Sequence, residues 1–401
     1  MVIDISHATH SLPMPAAAAL AQSDALVARI CARAKEQGGR LTLGDYIHAA
    51  LYEPGLGYYV SGQRKFGESG DFVTAPELGS VFANCCARAF SRVIRQLAEP
   101  VIVELGAGTG QFAHDVMLAL DRSGALPLRY EILEVSPQLV AQQRQLIATL
   151  PDRLADRVMW LDAVPREAFD GIVFGNEVID AMPIERFCWR GGDSIQQDCV
   201  VESNGKLQLI SAPASAAIAE RVTELHAQQG DWPVPYVSEL RPGLGDWLHS
   251  VTAGLRRGVA MFVDYGTHAG EYYHAQRTSG TLLCHYQHRA HTDVMRWPGL
   301  QDITAWVDFS ALYRAATMLG FDLDGYTSQA HFLIDSGLDA VVGAEFSDAG
   351  YVQQVQLSAE VRRLTLPGEM GERFKVAAFR RDMEQGVLTP AHTGFEGYLN
   401  A

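Results

Sequence analysis

Val101-Ile-Val-Glu-Leu105 runs straight into Gly106-Ala-Gly-Thr-Gly110, and a helical stretch follows at once. A short apolar run that ends in a glycine turn and opens a helix is a strand feeding a crossover, so this stretch directs the chain toward a parallel sheet. Glycines at such a turn let the backbone bend tightly and approach a ligand with no Cβ in the way. The pattern recurs downstream. Arg129-Tyr-Glu-Ile-Leu-Glu-Val135 predicts a second strand, ended by Ser136-Pro137, which opens another helix. Val158-Met-Trp-Leu161 and Gly171-Ile-Val-Phe174 predict a third and fourth, the run from Val259 to Asp264 a fifth, and Phe321 to Thr327 and Phe374 to Phe379 two more. Seven strands, with helices between the early ones, predict an α/β fold built on an open doubly wound sheet.

The remainder is organised around that core. Residues 1–20, with Pro13, Pro15 and an alanine run, read as a flexible arm. Residues 21–97 read as a helical N-terminal region. Leu78, Val81, Phe82, Cys85, Cys86, Ala89, Phe90, Val93, Ile94 and Leu97 repeat with helical spacing, and Thr74-Ala-Pro-Glu77 fits a capping box at the head of that helix. A Gly- and aromatic-rich loop from Gly55 to Asp71 precedes it, and Gly67 and Gly70 would let that loop move as a lid. The segment from Phe187 to Ile210 breaks the rhythm: three strands separated by turns at Asp193 and Asn204-Gly205, followed by a helix near Ala214 to Gln229. The chain thus divides into an arm (1–20), a helical region (21–97), a core (98–186 and 255–390) and an insertion (187–254) offered to substrate or partner.

Charge narrows the function classes. Across 401 residues there are 32 Lys and Arg against 47 Asp and Glu, a formal charge of -15. Non-specific nucleic-acid binding runs on a basic surface, so nucleic acid is not the expected partner; a cationic one is. No apolar run reaches the roughly 18–20 residues that span a bilayer. Met1 to Leu26 contains no Lys or Arg, as a signal or transit peptide would need. The six cysteines form no C-x-x-C pair and read as reduced thiols, which places the chain in the cytoplasm as an expectation.

The glycine turn admits two ligand classes and one bland reading. A dinucleotide would rest its pyrophosphate on the helix N-terminus behind G-x-G-x-x-G/A; that pattern fails from Gly106, where Gln111 holds the third position, but is completed from Gly108 by Ala113. A nicotinamide oxidoreductase therefore stays open on this feature. A Walker-type loop is excluded, because no Lys or Arg occurs between Val101 and Leu120. S-adenosylmethionine carries no phosphate and asks for no basic residue. Glu104, just ahead of the first glycine, fits its ammonium or a water network beside it; Glu134 fits the ribose hydroxyls under either reading; Asp162, after the third strand, fits the adenine amino group. The bland reading is a tight strand-to-helix turn.

Further motifs occur in order: Gly70-Asp-Phe-Val-Thr-Ala-Pro-Glu77, Val103-Glu-Leu-Gly-Ala-Gly-Thr-Gly110, Leu133-Glu-Val135, Asn176-Glu-Val-Ile-Asp-Ala-Met-Pro183 and Val263-Asp-Tyr-Gly266, then His288-Arg-Ala-His291 and Gln301-Asp-Ile-Thr-Ala-Trp-Val-Asp-Phe309. Across residues 40–380 the chain resembles the MidA-like family of S-adenosylmethionine-dependent methyltransferases, which includes a mitochondrial complex I assembly factor that methylates a protein arginine. The resemblance implies a class I, Rossmann-like methyltransferase sheet with its last strand inserted antiparallel. It also implies a protein substrate, with a respiratory-complex subunit as one candidate; a partner-binding assembly factor with a regulatory cofactor site is the rival. Gly106, Gly108 and Gly110 then belong to the cofactor turn, with Glu104, Glu134, Asp162, Asp71 and Thr74 around it. His288, His291, Asp302, Thr304 and Asp308 are implied as the wall of the acceptor channel, and Asp264 and Tyr265 as substrate-binding. Asn176 stands where the mitochondrial relative carries a His, and Val178-Ile179 replaces an aromatic pair.

Methyl transfer asks mainly for alignment of donor and acceptor. A guanidinium acceptor arrives charged and poorly nucleophilic; carboxylates can hold it in a fork and accept its proton. Glu177 and Asp180, after the fourth strand, fit that duty, with Asn176 beside them. Each also has a structural reading, Glu177 as a charge at a helix N-terminus and Asp180 as a cap on backbone amides. Thr74 is explained by the capping box, whereas Asp71 has no capping duty. His285, His288 and His291 form an H-x-x-H-x-x-H run, which without a fourth ligand reads as a polar loop and not a metal site. Asp308 also suits a helix cap, and Tyr58, Tyr59, Tyr272 and Tyr273 suit either packing or a cation-facing cleft.

Overall fold

The computed structural model describes residues 12–61, 74–384, 386–387 and 399. Asp71, Gly67, Gly70 and the first eleven residues lie outside that set. The central sheet contains strands β1 (Val101–Leu105), β2 (Arg129–Leu133), β3 (Val158–Leu161), β4 (Phe169–Asn176), β5 (Leu255–Thr267), β6 (Asp322–Ser328) and β7 (Phe374–Arg381). In space they run β3-β2-β1-β4-β5-β7-β6. The first five pair in parallel and β7 enters antiparallel between β5 and β6. The order turns back beside β1, between β2 and β4, which is the switch point where an open α/β sheet leaves a crevice at its carboxyl edge. An eighth strand of two residues, Val307–Asp308, pairs with the end of β5 at Gly266 and Thr267.

All of β1 is buried, which is why it reads as an unbroken apolar run: both faces of a doubly wound sheet are covered. On one face Ile102, Ile132, Phe174 and Val263 pack against the helices Val81–Ile94 and Gln111–Arg122, with Phe112 and Phe174 stacked at 4.4 Å. On the other, Val103, Val173 and Phe262 meet the helices Leu244–Thr252 and Phe309–Met318. Burying each of these Phe side chains stabilises the fold by about 2–3 kcal/mol. The predicted helix starts hold at Ser136, whose hydroxyl accepts from Leu139 N–H, and at Asp308, whose Oδ1 accepts from Ala311 N–H at 3.1 Å. Asp308 is thus a cap buried away from the cavity described below.

The N-terminal helix departs from expectation. It is broken into Ala75–Leu78 and Val81–Ile94, and the Thr74 side chain makes no capping bond. Gly79 lies against the Glu360 carboxylate, where a Cβ would come within 2.0 Å, and Glu360 accepts from Val81 N–H at 2.8 Å. A carboxylate from a distant helix therefore starts the second piece, a tertiary bond that the local pattern does not contain.

The insertion is also larger than its own three strands. Glu185–Trp189, Ile195–Ser203 and Lys206–Pro213 are joined by Arg40–Thr42 from the N-terminal region and by Tyr236–Leu240, making a five-stranded sheet among the described residues. The Asn204-Gly205 turn has positive φ at both residues (53° and 76°), the geometry of a two-residue hairpin. The helix that follows spans Ala216–Gln229 and is capped by Ser215. The stretch containing the three histidines is not a loop: Leu283–Tyr286 and Arg289–His291 form a hairpin, and Asp302–Thr304 pairs on its other side. This small sheet stands over the carboxyl edge of the central one.

Candidate active site

A cavity of about 630 Å³ opens at the carboxyl ends of β1, β2 and β4. Its floor is the glycine turn. Gly106 and Gly108 have φ of 62° and 54° and line the cavity; a Cβ on Gly106 would sit 3.2 Å from Val178 Cγ1. Gly110 (φ 87°) is the N-cap of the helix Gln111–Arg122, packed on Gln143, and is not among the lining residues. Its duty is to turn the chain.

Glu134 follows β2 and lines the cavity. Its Oε1 accepts from Ser136 N–H at 3.0 Å and its Oε2 from Gln143 Nε2 at 3.1 Å. Gln143 Nε2 also donates to the Gly108 carbonyl at 2.8 Å, and Trp160 Nε1 donates to Gln143 Oε1 at 2.9 Å. One fully buried glutamine thus ties the glycine turn to Glu134. Glu104 lines the cavity too, but Tyr130 donates to its Oε2 at 2.8 Å, and burial pushes its carboxyl up to about 8. Asp162 is exposed just after the edge strand β3 and is not among the residues that line the cavity.

The opposite half carries the acids. Asn176 ends β4, and Glu177 (φ 52°) begins the loop after it. Asn176 Nδ2 donates to Glu177 Oε1 at 3.2 Å. Burial, then the neighbouring Asp180, pushes Glu177 up to about 8. Burial also raises Asp180, against the hydrogen bond from Tyr265 Oη at 2.5 Å. Asn176, Glu177, Asp180, Tyr265, Asp302 and Thr74 all line the cavity. Tyr59 donates to Asp302 at 2.7 Å and stacks on Tyr52 at 5.5 Å.

Asp264 is 1% exposed and does not line the cavity. It accepts from the N–H groups of Ile179 and Asp180 at 3.0 and 3.1 Å and of Tyr265 at 2.9 Å, so it shapes the acidic loop from behind. His288 is exposed at the tip of the hairpin and His291 lies on its outer strand; neither lines the cavity. His285, which precedes them, does, and burial lowers it to about 4, so it stands neutral. Side chains alternate along the strand Leu283–Tyr286, so Leu283 and His285 line the cavity while Cys284 and Tyr286 are buried on the other face; treating the run as a loop hides that alternation. Thr304 is buried in the third strand, outside the lining. Tyr58, Tyr272 and Tyr273 are core residues. No group of three His, Cys, Asp or Glu among the described residues is placed to hold a metal, and all six cysteines are free.

His48 and Tyr52 also line the cavity and are not singled out by the sequence; Glu77, read there as part of a capping box, and Trp306, quoted there within a motif, line it as well. His48 and Tyr52 are four apart on the helix Leu43–Tyr52, a pairing the helical period does offer. The described lining has six acids (Glu77, Glu104, Glu134, Glu177, Asp180, Asp302) against one arginine, Arg373. Among the described residues, two buried oxygens that face this site, Asn176 Oδ1 and Asp180 Oδ1, have no hydrogen-bond partner. A cavity with unbonded acceptors, a glycine floor and no cation at the turn fits a phosphate-free, positively charged nucleoside.

Such a fold and site define a class I S-adenosylmethionine-dependent methyltransferase. The comparisons with known proteins agree. Residues 82–327 match the model of the family described as "Putative S-adenosyl-L-methionine-dependent methyltransferase". A crystal structure of a "likely methyl transferase" from Burkholderia thailandensis, bound to S-adenosyl-homocysteine, is 40% identical, covering 94% of this chain and 97% of its own with a TM-score of 0.87. The mitochondrial protein arginine methyltransferase NDUFAF7 of Mus musculus is 28% identical over 84% of this chain and 80% of its own length; that of Homo sapiens is 27% identical over 85% and 80%. The chain belongs to this MidA-like family and is an S-adenosylmethionine-dependent methyltransferase, which sets the nicotinamide reading aside. Gly106, Gly108, the intervening amides and Glu134 are the residues that would hold the cofactor. When bound, it supplies an electrophilic methyl group. No helix among the described residues is long and apolar enough to cross a membrane.

Proposed function

We propose that the acceptor is the guanidinium of a protein arginine. The observation that carries this reading is the acidic loop after β4: Glu177 and Asp180, two carboxyls that line the cavity, with Asp180 Oδ1 lacking a hydrogen-bond partner among the described residues. A guanidinium offers five N–H donors in a planar fork, and acceptor-only carboxylates complement it. Burial raises Glu177 and Asp180, and a bound cation beside them opposes that, so its arrival drives both toward the ionised form. Glu177 then takes a proton from the attacking nitrogen, while Asp180, held by Tyr265, orients the far side of the fork. The Tyr52–Tyr59 stack supplies an aromatic wall that suits a delocalised cation. The relatives' names support the same acceptor. A respiratory-complex subunit is the protein substrate to try first. The six free cysteines support a reducing compartment such as the cytoplasm.

The test is incubation with methyl-labelled S-adenosylmethionine and a lysate, followed by acid hydrolysis of labelled bands. Label recovered as methylated arginine is expected. Label in lysine, in histidine or in small molecules only would overturn the arginine reading, although the enzyme class would stand.

A further inference from the structure

The strand Tyr236–Leu240 is an edge of the five-stranded sheet; Glu239 lies near its end and Arg241 just past it. They do not pair with each other. Glu239, 1% exposed, accepts from the N–H of Thr281 at 2.9 and 3.0 Å and of Leu282 at 3.1 Å. Arg241 forks onto three carbonyls: Nη2 donates to Asp180 O at 2.9 Å and Ala305 O at 2.6 Å, and Nη1 to Trp306 O at 2.7 Å. The Ala305 N–H reaches the same Asp180 carbonyl at 3.2 Å. Asp180 and Trp306 both line the cavity; Arg241 does not. Asp180 is therefore gripped from two sides, its N–H by the Asp264 carboxylate and its C=O by the Arg241 guanidinium.

We propose that Arg241 is a positioning residue for methyl transfer: the inserted sheet reaches through this one side chain to fix the Asp180 loop and the Trp306 segment relative to each other, and so sets the acceptor half of the cavity. This rests on the reading that the acceptor enters beside Asp180. Three carbonyls at fixed positions call for a planar fork with several donors; an ammonium on a flexible stem carries the charge but cannot match that plane. The charge has its own effect. Asp180 and Asp264 are raised by burial, and Arg241 lowers both. The other titratable groups around them are Glu177, Tyr265, Asp302, Tyr52 and Tyr59; the hydrogen bond from Tyr265 also lowers Asp180, and Arg241 is the one cation among these neighbours.

Arg241→Met and Arg241→Lys separate the two effects. Three readouts are taken: S-adenosylhomocysteine affinity by calorimetry, KM and kcat for the methyl acceptor, and the titration midpoint of Asp180 by carboxyl-carbon NMR, assigned with Asp180→Asn. For Arg241→Met, S-adenosylhomocysteine affinity stays within about twofold, acceptor KM rises about tenfold or more, and the Asp180 midpoint climbs by about one pH unit. Arg241→Lys keeps the midpoint near wild type yet still raises KM, because it retains the charge and loses the fork. An unchanged KM in both variants, or cofactor affinity falling in step with KM, would overturn the proposal. If Arg241→Met does not fold, Arg241→Lys carries the test alone on its KM. The NMR titration needs no acceptor, so it reports on Arg241 even if arginine proves to be the wrong substrate.

Discussion

The floor of the cavity is taken from two adjoining strand ends, Glu104–Thr109 and Leu133–Val135, whereas its acceptor half draws on residues as far apart as His48, Asp180, His285 and Trp306. The floor is shaped by backbone, through glycines in left-handed conformation and one buried glutamine. The acceptor half is shaped by side chains: stacked tyrosines, carboxyls raised by burial, and an arginine clamp from another layer. A local, backbone-built site specifies a ligand whose shape never varies. A site assembled across layers can be retuned one side chain at a time, which suits the variable partner in a methyl transfer. On that division, damage to one half should leave the other half's ligand bound.

The largest effect is expected from Glu177→Gln. The variant keeps size and loses the base, so kcat should fall about 10²- to 10³-fold while S-adenosylhomocysteine affinity changes little. Labelled-methyl turnover and calorimetry on the same sample check it; a parallel loss of cofactor affinity would break the division into halves. The converse is Gly106→Val. A β-branched residue at φ 62°, with its Cβ against Val178, is strained on two counts. Cofactor affinity should drop at least about tenfold. Partially loaded enzyme should retain its acceptor KM.

The same division decides what can be read from sequence. The seven sheet strands, the glycine turn, Glu134 and the pair Glu177 and Asp180 are legible because each depends on neighbours within a few residues: an apolar run, a turn, an acid just past a strand. Asp264 was legible as a residue of interest but not in its role, since only the fold shows its carboxylate on the amides of Ile179 and Asp180. Thr74 looked like a cap because the local pattern allowed it; Glu360, nearly three hundred residues away, starts the main helix in its stead. Arg241 left one faint trace, a charge at the end of a mostly apolar strand beside Glu239. Its partners are carbonyls, and carbonyls have no sequence.

Raised carboxyls leave a mark on stability as well. Glu177 holds its proton up to about 8 when folded, against an ordinary value near 4.5. Between those pH values the native state binds a proton that the unfolded chain has released, so stability falls as pH rises through that window and levels off above it. Glu104, also near 8, adds to the fall. Glu177→Gln should remove its own share, flattening the dependence of Tm on pH and gaining on the order of 1–3 kcal/mol at pH 8, the full shift being screened by water in the cavity. Thermal melts from pH 5 to about pH 9 would show it. A wild-type curve that rises across this range would mean that the acids are already compensated without any ligand.

The smallest effects mark the borders of the two halves. Trp160→Phe removes the N–H that orients Gln143, and with it one support of both Glu134 and the Gly108 carbonyl. One buried hydrogen bond contributes about 1 kcal/mol, so cofactor affinity should fall about fivefold with the acceptor KM unmoved. At the other border stands His288, exposed at the hairpin tip with a φ of 58°. Its neighbour His285 faces the cavity three residues earlier, so the two separate a hairpin from a loop that folds inward as a whole. His285→Ala should change acceptor KM, because it deletes part of the wall. His288→Gly, which also suits the positive φ, should leave turnover within about twofold. If His288→Gly instead matched His285→Ala, the hairpin tip would have to bend into the acceptor half during turnover, and that half would extend beyond the cavity described above.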